Sequence, residues 1–265
     1  MGTSAHLTVM INAAKKASGR LLRDFGEVEN LQVSAKGPGD FVSNADRKAE
    51  ETIIKELTTA RPDWRILAEE SGEQFGGKSS EYRFVIDPLD GTTNFLHGFP
   101  YWCISIGLEK NGEPVAGVIM APVYNEIFYA EKNGGAFLNN KRVRVSSRRV
   151  LSDSFIACGS PSSYRRPTKA PINILQAINK IAPRIGTIRC VNSAALDLAY
   201  LASGKFDALL DLSLKKWDMA AGIIILKEAG GQITDINGTD KFYEEGDVLA
   251  SNYHLHENLI SLLSA

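Results

Sequence analysis

The chain predicts a layered α/β protein in two parts, an α+β part over residues 1–146 and an α/β part over 147–265. Apolar residues recur at helical spacing near its start, short strands punctuated by Asn-Gly turns follow in the middle, and from about Ser146 helical and extended segments alternate. At 265 residues, 44% of them apolar and 23% charged, it can bury a sizeable core and is neither disordered nor fibrous. A formal charge of −1 gives no electrostatic reason to expect nucleic acid as the main substrate, which leaves small molecules.

Leu7, Met10, Ile11, Ala14, Ala17, Leu21, Leu22 and Phe25 step by three and four with Lys and Arg between them, which predicts an amphipathic helix. The polar link Lys36-Gly37-Pro38-Gly39-Asp40 reads as a turn, and Ser43 and Asn44 as the cap of a second helix carrying Ile53, Ile54 and Leu57. Asp46 then falls in that helix's first turn, where an acid complements the dipole. Arg65 to Ala68 is a short strand running into Glu69-Glu70-Ser71. Cys103–Leu108, Val115–Met120, Ile127–Ala130 and Ala136–Leu138 read as an antiparallel meander, with Phe99 and Trp102 as packing residues ahead of it. The basic residues Lys141, Arg142, Arg144, Arg148 and Arg149 read as a solvated surface or a contact for an anionic partner. Beyond them come helices over 172–181, 193–202, 217–229 and 255–263 and strands over 185–188, 206–212, 232–234 and 248–250.

Cys103, Cys158 and Cys190 are widely spaced, so neither a disulfide framework nor a zinc site is expected; they read as buried thiols in a reducing compartment. His6, Lys15 and Lys16 sit in a helical pattern instead of a leader, and the longest apolar run, Met219 to Leu226, is too short to span a bilayer. The expectation is a cytoplasmic protein without membrane contact. His254 and His256, two apart, would lie on different helix faces and are not read as ligands.

The informative stretch is Phe84-Val85-Ile86-Asp87-Pro88-Leu89-Asp90-Gly91-Thr92-Thr93-Asn94-Phe95, an apolar strand ending in two acids, a glycine and two hydroxyls. Such residues make either an ordinary turn or a cation site beside an anion site. Carboxylate oxygens suit Mg²⁺, and glycine lets a backbone approach a ligand. Asp218, just ahead of an apolar run, is either a helix-start acid or a further ligand.

Taken together, Lys36 with Asp46, Glu69-Glu70-Ser71, Asp87 through Phe95, and Trp217-Asp218-Met219-Ala220-Ala221-Gly222 resemble the inositol monophosphatase family of Mg²⁺-dependent phosphatases over nearly the whole chain. The resemblance implies a sugar-phosphatase fold, an αβαβα sandwich with the metals at the junction of the two parts. It implies two or three Mg²⁺ per site, one on Glu69, Asp87 and the Leu89 carbonyl and a second on Asp87, Asp90 and Asp218. Thr92, paired with Asp46, would orient the attacking water together with Glu69. Asp90, Gly91, Thr92, Ala194, Asp211 and Asp218 would contact the substrate. Hydrolysis of inositol 1-phosphate, lithium inhibition and a homodimer are the implied properties. Other activities of the fold stay open: histidinol phosphate, fructose 1,6-bisphosphate, NADP or 3′-phosphoadenosine phosphates. So does a binding role in a transcription or RNA-processing complex. Asp211, seven residues before Asp218, stands where many inositol-cleaving members have Glu, and Asn192-Ser193-Ala194 replaces a Gly-Thr-Ala-like segment. Both departures bear on the alcohol and not on the metals.

Overall fold

The computed structural model describes residues 3–27, 33–37, 40–74 and 80–264; side chains of 33–37, 40–43, 74, 164 and 165 lie outside this description. Pro38 and Gly39 of the expected turn and the side chains of Lys36 and Ser43 are therefore outside the described residues. In chain order the first part comprises α1 (Ala5–Gly26), β1 (Val33–Gly37), β2 (Asp40–Ser43), α2 (Asn44–Ala60), β3 (Arg65–Ala68), β4 (Gly72–Gln74), β5 (Tyr82–Asp90) and α3 (Thr92–Leu96), then β6 (Cys103–Lys110), β7 (Glu113–Ala121), β8 (Glu126–Glu131), β9 (Gly135–Leu138) and β10 (Lys141–Val143). The second comprises β11 (Phe155–Cys158), α4 (Ile174–Ile181), β12 (Thr187–Arg189), α5 (Ala194–Ala202), β13 (Ala208–Asp211), α6 (Lys216–Glu228), β14 (Gly231–Thr234), α7 (Phe242–Glu245), β15 (Val248–Asn252) and α8 (His256–Ser264).

Strands β3 to β10 form one sheet in the order β10-β9-β8-β7-β6-β5-β3-β4, antiparallel except for the β3–β5 pair. The expected meander, β6 to β9, supplies four of its eight strands. Asn111 and Gly112, both at positive φ, close the β6–β7 hairpin as a two-residue turn. A second sheet runs β12-β11-β13-β15-β14. Its strand β11 was not anticipated, nor were the hairpin β1–β2, the short β10 inside the basic cluster, and α7.

Period-two alternation sorts the large sheet's side chains into two cores. Ile104, Ile106, Leu108, Val118 and Met120 meet Met10, Leu21, Ile53 and Leu57 of α1 and α2. Cys103, Ile119, Ala121 and Phe128, from the other face, meet Leu196, Leu198, Met219 and Ile225 of α5 and α6, which also cover Leu209, Ile233 and Ala250 of the small sheet. The far face of that sheet, Ile156, Leu210 and Leu249, is closed by Ile174, Ala177 and Ile181 of α4 and Leu259 and Leu263 of α8. The layers are thus helix, sheet, helix, sheet, helix, the αβαβα sandwich. Helix α6 is apolar nearly all round, as a helix between two sheets must be. It packs so closely that a Cβ on Gly107 would lie 2.7 Å from Ala220 Cβ, and one on Gly117 would lie 2.6 Å from Ala221 O. The middle core draws on both sides of residue 146.

Trp102 is fully buried, as expected of a packing residue, whereas Phe99 is 47% exposed. His256 is buried, between the hydroxyls of Ser251 (2.8 Å) and Thr234 (3.0 Å), and burial lowers its pKa. Among the described residues no helix is long and apolar enough to cross a membrane.

Candidate active site

The strand β5 does not stop before its acids, as the run of apolar residues suggests, but continues through Asp90. Its register against β6 slips there, Asp87 pairing with Ser105 and Asp90 with Cys103, so Pro88 and Leu89 oppose the single residue Ile104. Residues three apart on a regular strand face opposite ways; the extra residue of this bulge returns Asp87 and Asp90 to one face. Pro88 sits in the bulge, where the N–H it lacks is dispensable. The shared face is that of Cys103, turned to α5 and α6. Leu89 points the opposite way into the α1–α2 core, and its N–H donates to Asp87 Oδ1 at 2.9 Å.

Asp218 arrives from the first turn of α6, its Oδ2 accepting from the Lys215 N–H at 2.6 Å. One carboxylate oxygen from each of Asp87, Asp90 and Asp218 lies within 4.8 Å of the others. Asp87 and Asp90 are buried and Asp218 is half-buried, with its carboxylate turned to theirs. All three are held above the ordinary range. For Asp87 the cause is burial, then the charges of Glu69, Asp90, Asp218 and Asp46. For Asp218 it is burial and then Asp90. Burial also dominates at Asp90, opposed by hydrogen bonds from Ser193, Ala195 and Leu196. Clustered hard oxygens that resist holding their charge alone fit a divalent cation such as Mg²⁺.

A second group, Asp46, Glu69 and Glu70, also has carboxylate oxygens within 4.8 Å of one another. Asp46 is buried in the first turn of α2. The Glu69 N–H bonds to Ile86 O at 3.1 Å, extending β3 alongside β5 so that Glu69 follows β3 much as Asp90 ends β5. Glu50, buried one helical turn after Asp46, receives the N–H groups of Glu70 (2.9 Å) and Ser71 (3.0 Å) on its two oxygens and so pins this turn. Arg47 Nε lies 3.5 Å from Glu70 Oε2. Between the groups stands Thr92, its hydroxyl 2.9 Å from Leu89 O and 3.4 Å from Asp46 Oδ2.

Gly91 turns the chain from β5 into α3 at φ 93°. A side chain there would lie 3.0 Å from Tyr101 O and 3.3 Å from Ser193 Cβ, so both backbone conformation and space require glycine. Asn94 Nδ2 donates to Tyr101 O (2.7 Å) and Val191 O (2.6 Å), tying this turn to the segment ahead of α5. There Ser193 Oγ donates to Asp90 Oδ2 at 2.6 Å, and the Ala195 N–H donates to the same oxygen at 2.8 Å. Ala194 opens α5 beside them. Asp211, at the end of β13, is buried; burial pushes its carboxyl up to about 7, Arg166 draws it down, and its charge reaches Asp90 and Asp218.

Asp87, Asp90 and Asp218 thus meet at the end of β5 and the start of α6. Asp46 and Glu69 form a second group at the start of α2 and after β3, with Thr92 between the two; Ala194 opens α5 and Asp211 ends β13. Ser193, Glu50 and Glu70 were not assigned. Glu50 carried a usable signal, four residues after Asp46 on one helix face; Ser193 carried none until Asp90 was placed against it. Of the basic cluster, Arg148 Nε pairs with buried Asp207 at 2.9 Å.

Known proteins resemble the chain over nearly its whole length. A sequence model described as the inositol monophosphatase family matches residues 4–265. The chain is 46% identical over 260 residues to an inositol-1-monophosphatase of Mesorhizobium japonicum, covering 98% of this chain and 96% of that protein. It is 41% identical over 234 residues to a Nus factor SuhB of Xylella fastidiosa, covering 88% and 83%. The crystal structure of the extragenic suppressor protein SuhB from Bartonella henselae superposes with a TM-score of 0.92 at 47% identity, covering 98% of each chain.

Proposed function

Because this chain belongs to the inositol monophosphatase family and is a phosphoric monoester hydrolase, we propose that it cleaves a small phosphorylated polyol, inositol 1-phosphate first, to the free alcohol and phosphate. The observation that carries the reading is the convergence of Asp87, Asp90 and Asp218, from two elements of different layers, within 4.8 Å. In this reading Glu69, Asp87, the Leu89 carbonyl, Asp90 and Asp218 hold Mg²⁺, two or three ions in all. Bound there, Mg²⁺ supplies positive charge to the phosphate and leaving oxygens and makes a water more acidic.

The chain's own groups do the rest. Thr92 Oγ1, 3.4 Å from Asp46 Oδ2, can turn its proton to that carboxylate and present a lone pair to the attacking water. Glu69 accepts from the same water. The N–H groups of Gly91, the N-cap of α3, and of Thr92, its first residue, have no acceptor within that helix and donate to phosphate oxygens. Asp90, Ala194, Asp211 and Asp218 line the alcohol side. Water adds its oxygen to phosphorus as the phosphorus–alcohol oxygen bond breaks, and the departing oxygen takes up a proton. Residues 1–146 supply most of the metal and phosphate groups, and residues 147–265 supply Asp218 and the alcohol contacts.

Phosphate release from inositol 1-phosphate, histidinol phosphate, fructose 1,6-bisphosphate, NADP and 3′-phosphoadenosine 5′-phosphate, with and without Mg²⁺ and with Li⁺ added, tests this. The expected result is the highest kcat/KM on inositol 1-phosphate, no turnover without Mg²⁺ and inhibition by Li⁺. Equal rates after chelation would sink the mechanism, and preference for a nucleotide would replace the substrate.

The Nus-factor name of a 41% identical relative supports a second reading, docking in a transcription complex. Capture of that relative's partners should then need Arg148 and Arg149 and survive Asp90→Asn. We further propose a homodimer in the cytoplasm, with sedimentation as the check on the first.

A further inference from the structure

Gly159 immediately follows β11, and its N–H extends the β11–β13 pairing by donating to Leu210 O at 2.9 Å. Its backbone lies outside the left-handed region, so nothing in its conformation excludes a side chain. The space does. A Cβ at Gly159 would lie 1.9 Å from Asp211 Oδ1, 2.4 Å from its Cγ and 2.8 Å from its Oδ2, and these are the three nearest atoms. The missing methyl is therefore occupied by one carboxylate. Asp211 Oδ1 also receives the Leu212 N–H at 2.8 Å, which leaves Oδ2 as the oxygen available to a substrate hydroxyl.

We infer that Gly159 is the specificity-positioning residue of this site, its bare Cα forming the seat that fixes Asp211 and so selects a hydroxylated alcohol. The inference rests on the phosphatase reading above, and on Asp211 as its contact to the alcohol. An aspartate is one methylene shorter than the glutamate alternative, so its reach is set by where its backbone and this seat hold it. A methyl group at position 159 and the carboxylate of Asp211 cannot both keep their places. The proposed Mg²⁺ ligands, on β5, on α6 and at Glu69 after β3, and the phosphate contacts at the start of α3 are not part of the seat.

The test is a two-by-two set of variants, wild type, Gly159→Ala, Asp211→Ala and the double variant, each assayed with Mg²⁺ on inositol 1-phosphate and on p-nitrophenyl phosphate, whose leaving group has no ring hydroxyls. Gly159→Ala should lower kcat/KM for inositol 1-phosphate about tenfold, the size of one lost hydrogen bond to a carboxylate, mainly through KM. The rate on p-nitrophenyl phosphate should stay within about twofold. In the Asp211→Ala background the same substitution should change nothing further, because the atoms it strikes are gone. Losses that add, or that fall equally on both substrates, overturn the inference. If Gly159→Ala does not fold, its recovery by Asp211→Ala reads the same coupling, and no recovery overturns it. An Asp211→Ala protein with unchanged selectivity also overturns it while leaving the hydrolase standing. A wild type that cleaves p-nitrophenyl phosphate but not inositol 1-phosphate instead removes the substrate reading beneath it.

Discussion

Asp90 shows how a single side chain is prepared for its work. Ser193 and Ala195 both donate to its Oδ2, and Cys103 Sγ approaches the same oxygen at 3.7 Å, so protein donors hold this carboxylate in one orientation. Partners of this kind orient ligands and typically change metal affinity 10–100-fold. Ser193→Ala should therefore weaken Mg²⁺ binding by about tenfold, read as the Mg²⁺ concentration needed to raise the melting temperature, while Ser193→Thr keeps it. Asp218→Asn should cut turnover by orders of magnitude and leave the fold intact; a wild-type rate would remove Asp218 from the site. The raised carboxyls also set a pH dependence. Without metal, the native cluster holds protons that the unfolded chain has released, so its contribution is full below the ordinary carboxyl value and is lost as pH rises through the raised ones. Metal-free protein should melt lower as pH climbs from about 4 toward neutrality, and Asp218→Asn should flatten that slope. The acids themselves were legible because each stands where a strand ends or a helix begins. Ser193 was not, since its meaning lies in a contact with a residue 103 positions away.

At the scale of elements, the bulge in β5 and the glycine groove under α6 together bring the acids to one place. Apolar alternation marks a strand only while it is regular, so the tract Asp87 to Asp90 read as a strand's end when it is a strand with one residue too many. Strand β11 was missed for a different reason: four residues, Phe155–Cys158, offer too little alternation to stand out. Strand β10 was hidden because a solvated edge carries the same basic residues as a loop. Gly107 and Gly117 read as unremarkable, yet they let α6 lie directly on the sheet. Gly117→Val should destabilise the protein by about 1–3 kcal/mol through overpacking and push Asp218 off its partners, so that a melt and a Mg²⁺ titration both register it. A stable variant with normal Mg²⁺ response would show that the helix has room to shift.

For the molecule as a whole, the layer order was legible from a family resemblance more than from periodicity, because periodicity names which face of a helix is apolar and not which sheet it meets. The middle core joins Cys103 and Phe128 to Leu196 and Met219, so the two parts of the chain share one interior. Mg²⁺ binding the native state alone should raise stability by about 2.7 kcal/mol at a hundredfold excess over its dissociation constant. That excess should vanish in Asp90→Asn. The span from Asp87 to Asp218 has a further consequence, in time. Closing so long a loop is slow to be rewarded, and carboxylates that repel one another gain nothing by meeting early. The ion's ligands should still be apart at the rate-limiting barrier. Adding Mg²⁺ should then slow unfolding while leaving the rate of refolding untouched, a signature that stopped-flow mixing in urea can read.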